Sequence, residues 1–421
     1  MELRCIECGT TYPGHGVVNR CTCGGLLDVA IAPVPLQHDL FDQRRGTSDR
    51  ILRSGVWRYR ELMPPFPDSA IITKPEGNTN LYRDQRLSDW GGVDIWFKHE
   101  GENPTGSFKD RGMTAGISHA RWTGAALVAC ASTGNTSASV AAYAATAGLP
   151  AVVFIPEGKI SVAKLGQTIA YGPHIIQVRG DFDAAMRMVS AASERFGIYL
   201  LNSLNPFRLE GQKAIFFESV QELGWQAPDW VVVPGGNLGN TAALGKAIKE
   251  ALAAGLINAM PRVAVVQAEG AAPLYHAWRN GFRAYTPVRA ATVASAIQIG
   301  DPVNYTKARN VLRETEGVVT TVSDSEILAS KALIDRVGIG CEPASAAGLA
   351  GIRRLVAEGV ITPGERVLTY LTGHMLKDTD AIVAWHLQGG GGDAAKTPIV
   401  IDEAPDALAR VLTDILEHAA L

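Results

Sequence analysis

From about residue 70 onward the chain alternates short runs of β-branched residues with longer Ala-rich stretches of helical spacing. No other feature constrains the fold as much, because strand, crossover helix and strand close into a parallel sheet whose helices cover its faces. The pattern predicts an α/β protein with strands over residues 94–99, 125–131, 151–155, 174–178, 230–233, 263–267, 318–322 and 367–371. Helix starts lie between them. Ser323-Asp-Ser-Glu326 places a hydroxyl at the cap and a carboxylate three residues on, the pattern of a capping box. A chain of 421 residues has room for two or three such domains.

Charge and hydropathy exclude other classes. The formal net charge of -3 carries no basic excess of the kind that nucleic acid attracts. The longest apolar runs, residues 125–131 and 230–233, fall far short of the roughly 20 residues of a membrane-spanning helix. The first residues show no basic start followed by an apolar stretch, so no secretion signal is expected. A reducing, cytoplasmic setting follows as the simplest expectation.

Four of the six cysteines lie near the start, as Cys5-x-x-Cys8 and Cys21-x-Cys23 beside Gly24 and Gly25. Two thiolate knuckles separated by a loop have the make-up of a zinc-ribbon site, and unmetallated thiols are the plain alternative, because CxC is tighter than the usual CxxC. Residues 46–60 form a polar connector into the turn Met63-Pro-Pro-Phe-Pro67. At the other end a four-glycine break, 389–392, precedes Leu408, Val411, Leu412, Ile415 and Leu416 at helical spacing, so a docked C-terminal helix is expected.

Four short segments carry chemistry. In Asn103-Pro-Thr-Gly-Ser-Phe-Lys-Asp110 a strand ends, a Pro/Gly turn follows, and Lys109 sits at the next helix start. The positive end of a helix disfavours an ammonium there and assists a neutral amine able to form a Schiff base, whereas a lone lysine at such a place is usually just solvated. Ser132-Thr-Gly-Asn135-Thr136-Ser137 follows the strand at 125–131 and opens an Ala-rich helix. Its hydroxyls and free amides make either an anion pocket or ordinary helix caps. Pro234-Gly-Gly-Asn-Leu-Gly-Asn240 is a glycine-rich turn between a strand and a helix, suited to backbone contact with a phosphate, though its spacing matches neither common nucleotide-binding motif. Leu371-Thr-Gly-His-Met-Leu-Lys-Asp378 ends the last predicted strand, and His374 in it is assigned no role.

Taken in order, these segments resemble the fold-type-II enzymes that use pyridoxal 5'-phosphate (PLP), and the continuation Asp110-Arg111-Gly112 is similar to the version found in threonine synthases. That resemblance implies a tryptophan synthase β-like fold: two open α/β domains with PLP in the cleft, plus the short cysteine-bearing N-terminal extension. Lys109 would hold PLP as a Schiff base and then shuttle protons. Asn135 would meet its phenolic oxygen, Gly235, Gly236, Asn237, Leu238 and Gly239 its phosphate, and Thr372 its pyridine nitrogen. A neutral hydroxyl at Thr372 would moderate the ring as an electron sink. Met375 departs from a glycine common among relatives.

The segment Leu201-Asn-Ser203-Leu-Asn-Pro-Phe-Arg208 resembles the part of threonine synthases where Ser203 and Arg208 would bind a substrate phosphate. Paired guanidinium donors match a phosphate and not bare serine. Ser132 and Thr136 would also face the substrate phosphate. Cys341-Glu342-Pro-Ala-Ser345-Ala resembles the stretch beneath the ring, and its glutamate and cysteine are left outside the catalytic set. The resemblance implies conversion of O-phospho-L-homoserine and water to L-threonine and phosphate, by γ-elimination and β-addition. Rivals are cysteate synthase-like or threonine dehydratase-like enzymes, and a noncatalytic zinc-ribbon binding module, against which the intact motifs count. Expected domains are a zinc-ribbon-like extension (1–30), a large PLP domain (60–110 and 205–388), a small mobile domain (111–204) and a linker with a helix (389–421). A homodimer is expected by the same resemblance.

Overall fold

The structure, a computed structural model, describes residues 1–421 apart from 33, 159–161, 181, 393–394, 404 and 419–421, and the side chains of 162–164, 182–183 and 416–418, Leu416 included, lie outside it. It has two compact units, Met1–Asp378 and Thr379–Leu421.

Three sheets organise the first unit. An antiparallel one joins β1 (Glu2–Cys5), β2 (Thr11–Pro13) and β3 (Leu27–Ala30) in the order β2-β1-β3. These strands, together with the short β4 (Leu81–Tyr82) and β9 (Tyr199–Leu200), lie outside the predicted set. All are two to four residues long, too short for a periodicity to register.

The eight predicted strands are all present: β5 (Asp94–His99), β6 (Val128–Ala131), β7 (Ala151–Pro156), β8 (His174–Val178), β10 (Trp230–Pro234), β11 (Arg262–Ala268), β12 (Val318–Val322) and β13 (Arg366–Leu371). β6 begins later than expected because Ala125 still belongs to the preceding helix end, its N–H donating to the Ala120 carbonyl at 2.9 Å, with Gly124 at φ 72° turning the chain. The larger sheet has the order β12-β11-β10-β13-β5-β4 and is parallel except for the β4–β5 pair. The smaller one, β8-β7-β6-β9, is parallel throughout. Helices cover both faces of β10, so all five of its residues are buried, and Val231, Val232 and Val233 give it an unbroken apolar run.

Lysines tie the cysteine-bearing sheet to the body. Lys307 donates to the Leu27 carbonyl at 2.7 Å and pairs with Asp28, while Lys246 donates to the Val29 carbonyl at 2.5 Å and pairs with Glu210. The capping box is formed: Ser323 Oγ accepts from the Glu326 N–H at 3.2 Å, and Glu326 accepts from the Ser323 N–H at 2.7 Å. In the second unit, helices Thr379–Leu387 and Pro405–His418 flank the glycine break, and Leu408, Val411, Leu412 and Ile415 lie on the latter. No helix among the described residues is long and apolar enough to cross a membrane.

Candidate active site

The carboxyl ends of β6, β10 and β13 lead directly into three of the four chemistry-bearing segments, the position at which open α/β sheets hold ligands. The fourth, ahead of Lys109, is zipped to the third: the Phe108 N–H donates to the Thr372 carbonyl at 3.0 Å, and the His374 N–H to the Gly106 carbonyl at 2.9 Å. Asp110 fixes this loop from below. Its carboxyl accepts from the Thr105 N–H and hydroxyl and from the Ser139 hydroxyl, each at 2.6 Å, so the Lys109 and Asn135 helices are joined at their starts. Burial raises the Asp110 carboxyl to about 6 against those bonds.

Lys109 opens the helix Lys109–Trp122, half-buried, with Nζ 3.7 Å from the centre of the Phe108 ring. Burial lowers its pKa to about 7, the positive charge of Arg208 pushes the same way, and Glu342 opposes. Desolvation and a neighbouring cation, more than the helix end, hold this amine ready to lose its proton.

Arg208 is buried on the helix Pro206–Gln212, which Asn205 caps by accepting from the N–H groups of Phe207 and Arg208. Glycines let that helix approach Lys109: a Cβ at Gly112 would lie 2.9 Å from the Arg208 carbonyl, and one at Gly116 3.3 Å from Arg208 Cγ. Arg208 Nη1 donates to the Leu201 carbonyl at 3.0 Å, Nε is buried without a partner, and no carboxylate pairs with the guanidinium among the described residues. Burial pulls its pKa down to about 10. A buried cation in that state is a receptor for an anion. Ser203 is half-buried nearby in sequence, and Asn304 Nδ2 links its carbonyl (3.0 Å) to that of Asn237 (3.4 Å) in the glycine turn.

That turn is built for close approach. A Cβ on Gly235 would meet Val265 Cγ1 at 2.6 Å, one on Gly236 the Ala296 carbonyl at 3.1 Å, and Leu238 is held at φ 60°. Among the described residues no acceptor is paired with the N–H groups of Gly236, Asn237, Leu238 or Gly239, and the buried Asn240 Nδ2 and Thr241 Oγ1 beyond them also lack partners. Converging unpaired donors at the start of the helix Gly239–Ala253 fit a phosphate. Asn240 and Thr241 were absent from the sequence-derived site, although two polar residues directly after a glycine turn are a usable signal.

Asn135 starts the helix Asn135–Ala147, and its Nδ2 donates to both oxygens of Glu342 at 3.0 and 3.2 Å. Ser132 and Thr136 are half-buried beside it, with Ser132 Oγ accepting from the Gly134 N–H at 3.3 Å. Thr372 Oγ1 lies 3.0 Å from Ser345 Oγ and 3.3 Å from Glu342 Oε1. Met375 opens a 3-10 turn and stands outside the left-handed region, so its backbone does not call for glycine. His374 caps that turn, its Nδ1 accepting from the Leu376 N–H at 3.2 Å. Far along the chain, the sulfurs of Cys5, Cys8, Cys21 and Cys23 all lie within 4.8 Å of one another.

A half-buried lysine with a lowered pKa, a cup of phosphate-directed amides, and an amide and a hydroxyl either side of a buried carboxyl suit PLP. Residues 72–373 match the family model described as "Pyridoxal-phosphate dependent enzyme". The chain therefore belongs to the PLP-dependent enzymes of fold type II. It is 43% identical to the threonine synthase of Methanocaldococcus jannaschii, over 99% of this chain and 100% of that one, and 43% identical to that of Methanosarcina acetivorans, over 97% of each. The solved threonine synthase of Escherichia coli shares the fold at a TM-score of 0.71, with 20% identity over 98% of this chain and 100% of that one. Within the PLP enzymes, this chain belongs to the threonine synthase family.

Proposed function

We propose that the protein converts O-phospho-L-homoserine and water to L-threonine and phosphate, with Lys109 carrying PLP. The observation that supports this most is the buried Arg208 guanidinium, without a carboxylate partner among the described residues, on the helix packed against Lys109. It offers an anion site separate from the glycine turn, as a phosphorylated substrate bound beside a phosphorylated cofactor requires.

Bound PLP supplies the electron sink that stabilises negative charge on substrate carbons. The turn Gly235–Gly239, with Asn240 and Thr241, would hold its phosphate, Thr372 its pyridine nitrogen and Asn135 its phenolic oxygen. Arg208 and Ser203 would hold the substrate phosphate, with Ser132 and Thr136 also facing it. Lys109 would take the proton from Cα; a proton would then leave Cβ as the Cγ–O bond breaks and phosphate departs with the bonding pair, and a proton would afterwards return at Cγ. Water adds at Cβ. An amine with a pKa of about 7 serves both directions of transfer near neutrality. The Asn135 turn belongs to the smaller sheet and Thr372 to the larger, so we propose that the 111–204 half closes on the rest to control water entry. The test is to add O-phosphohomoserine to the PLP-loaded protein and assay both products. Equal release of threonine and phosphate is expected; phosphate without threonine would refute the reading, and activity only with phosphoserine and sulfite would favour a cysteate synthase.

We further propose zinc in the four-thiol cluster. Zinc bound to four sulfurs at about 2.3 Å spaces them about 3.8 Å apart, and the Cys5–Cys23 and Cys8–Cys21 separations are 3.6 and 3.5 Å. Metal analysis of the purified protein tests it, one zinc per chain being expected.

A further inference from the structure

Glu342 stands at the cap of the helix Pro343–Ala357, its carboxyl buried. It holds two separate groups that would face the cofactor ring: Asn135 Nδ2 donates to both its oxygens, and Thr372 Oγ1 donates to one of them. The site is tightly fitted, since a Cβ on Gly373 would lie 2.5 Å from this carboxyl. The Glu342 N–H in turn donates to the Gly373 carbonyl at 3.0 Å, and Ser345 Oγ accepts from the Gly373 N–H at 3.1 Å while also meeting Thr372.

We propose that Glu342 is a positioning residue for the cofactor, sharing one proton with the pyridine nitrogen through the hydroxyl of Thr372. The inference rests on the PLP reading above. A hydroxyl has one proton to give. When Glu342 is a carboxylate it accepts that proton's hydrogen bond, and Thr372 turns a lone pair to the ring, which favours a protonated nitrogen. When Glu342 is an acid it donates to Thr372, and the Thr372 O–H points at an unprotonated nitrogen. The relay moves between these states by breaking the Glu342 O–H and the original Thr372 O–H bonds and forming a new Thr372 O–H and a ring N–H. The total number of protons is unchanged. Thr372 alone cannot protonate the nitrogen; Thr372 backed by Glu342 strengthens the electron sink without a carboxylate touching the ring. Of the groups around Glu342, Lys109 and Lys377 bring positive charge, while Asn135, Thr372 and Ser345 are uncharged. Burial favours the acid and raises the Glu342 carboxyl, while the Asn135 hydrogen bond, the two lysines and the Thr372 hydrogen bond favour the carboxylate.

The test loads wild type, Glu342→Gln and Glu342→Asp with 15N-labelled PLP and follows the ring-nitrogen resonance by NMR from pH 6 to 9. In wild type the resonance is expected to include a protonated population that changes with pH. In Glu342→Gln, which has no proton to release, it should stay at the unprotonated position, and Glu342→Asp should restore the response. A Gln variant with the wild-type resonance and pH response overturns the proposal, as does an Asp variant that loads PLP yet stays unresponsive. If the Gln variant does not load PLP, Thr372→Val must give the same fixed, unprotonated signal, and a wild-type signal there also overturns it. A wild-type protein that takes up no PLP removes the cofactor reading itself, a result distinct from any of these.

Discussion

Arg208 and Lys109 repel one another across the packed helices they sit on, and that repulsion adds to burial, against the opposing charge of Glu342, in holding the Lys109 amine at a pKa of about 7. Lysine captures an aldehyde only as the neutral amine, which is the majority form above that value. PLP uptake by protein stripped of cofactor should therefore rise with a midpoint near pH 7, far below the ordinary lysine value of 10.5. Arg208→Met removes the repulsion, so its midpoint should move to higher pH, as stopped-flow absorbance will show. An unmoved midpoint would leave burial as the sole cause.

A second substitution at the same residue separates cofactor from substrate. Arg208→Gln keeps the glycine turn and Lys109 intact, so at a pH above the shifted uptake midpoint PLP content should match wild type. Losing charge-assisted bonds to a phosphate costs about 1.5–3 kcal/mol, so kcat/KM for O-phosphohomoserine should fall roughly 10- to 150-fold. Steady-state kinetics with PLP content determined in parallel decide the point.

Stability depends on a buried charge cluster beneath the site. Arg111 reaches Glu100 at 2.6 and 2.7 Å and Glu218 at 2.8 and 3.2 Å, and Lys98 also meets Glu218 at 2.8 Å, with the side chains of all four fully buried. Arg111→Met leaves the buried Glu100 without a cation and Glu218 with Lys98 alone, and should cost about 3–5 kcal/mol, read from denaturant unfolding. Burial alone would raise the Glu218 carboxyl, but Arg111 and Lys98 outweigh it and hold it well below the usual range. Its folded value thus lies below its unfolded one, so its stabilisation is complete above the ordinary glutamate value of 4.5 and is lost as pH falls through the folded value.

Two glycines of the turn should behave differently. Gly235→Ala drives a methyl to 2.6 Å from the branched, buried Val265 and should weaken PLP binding by about 1–3 kcal/mol. Gly239→Ala meets its nearest neighbours at 3.5 Å, an ordinary contact, and should keep PLP within a few-fold of wild type. Equilibrium titration of the stripped variants with PLP tests both.

Cys21→Ser should release the proposed zinc and lower the melting temperature, because β3 carries the Leu27, Asp28 and Val29 groups that satisfy the half-buried to buried lysines 246 and 307. Equal melting of metal-free and metal-bound protein would contradict a structural role.

The eight longer strands of the two parallel sheets were legible because they are apolar, mostly β-branched runs between turn residues, a local property of the chain, whereas the two-residue β4 and β9 of the same sheets were not. Lys109, the glycine turn and Thr372 were legible as motifs for the same reason. What escaped was long-range. Nothing around Glu342 signals that its carboxyl meets Asn135, 207 residues away, and a glutamate before Pro343 reads as an ordinary helix start. The burial of Arg208 also depends on Gly112 and Gly116 of another helix, so its motif marked the residue but not its unpaired state. The N-terminal strands were hidden by their brevity, although the thiols that gather beside them were in plain view.

The most direct test of the central claim is to run the reaction in 18O-labelled water and locate the label. Elimination of phosphate by C–O cleavage and addition of water at Cβ predict one 18O in the threonine hydroxyl and none in the released phosphate. Label in the phosphate, with homoserine as the organic product, would mean attack at phosphorus and would contradict the account.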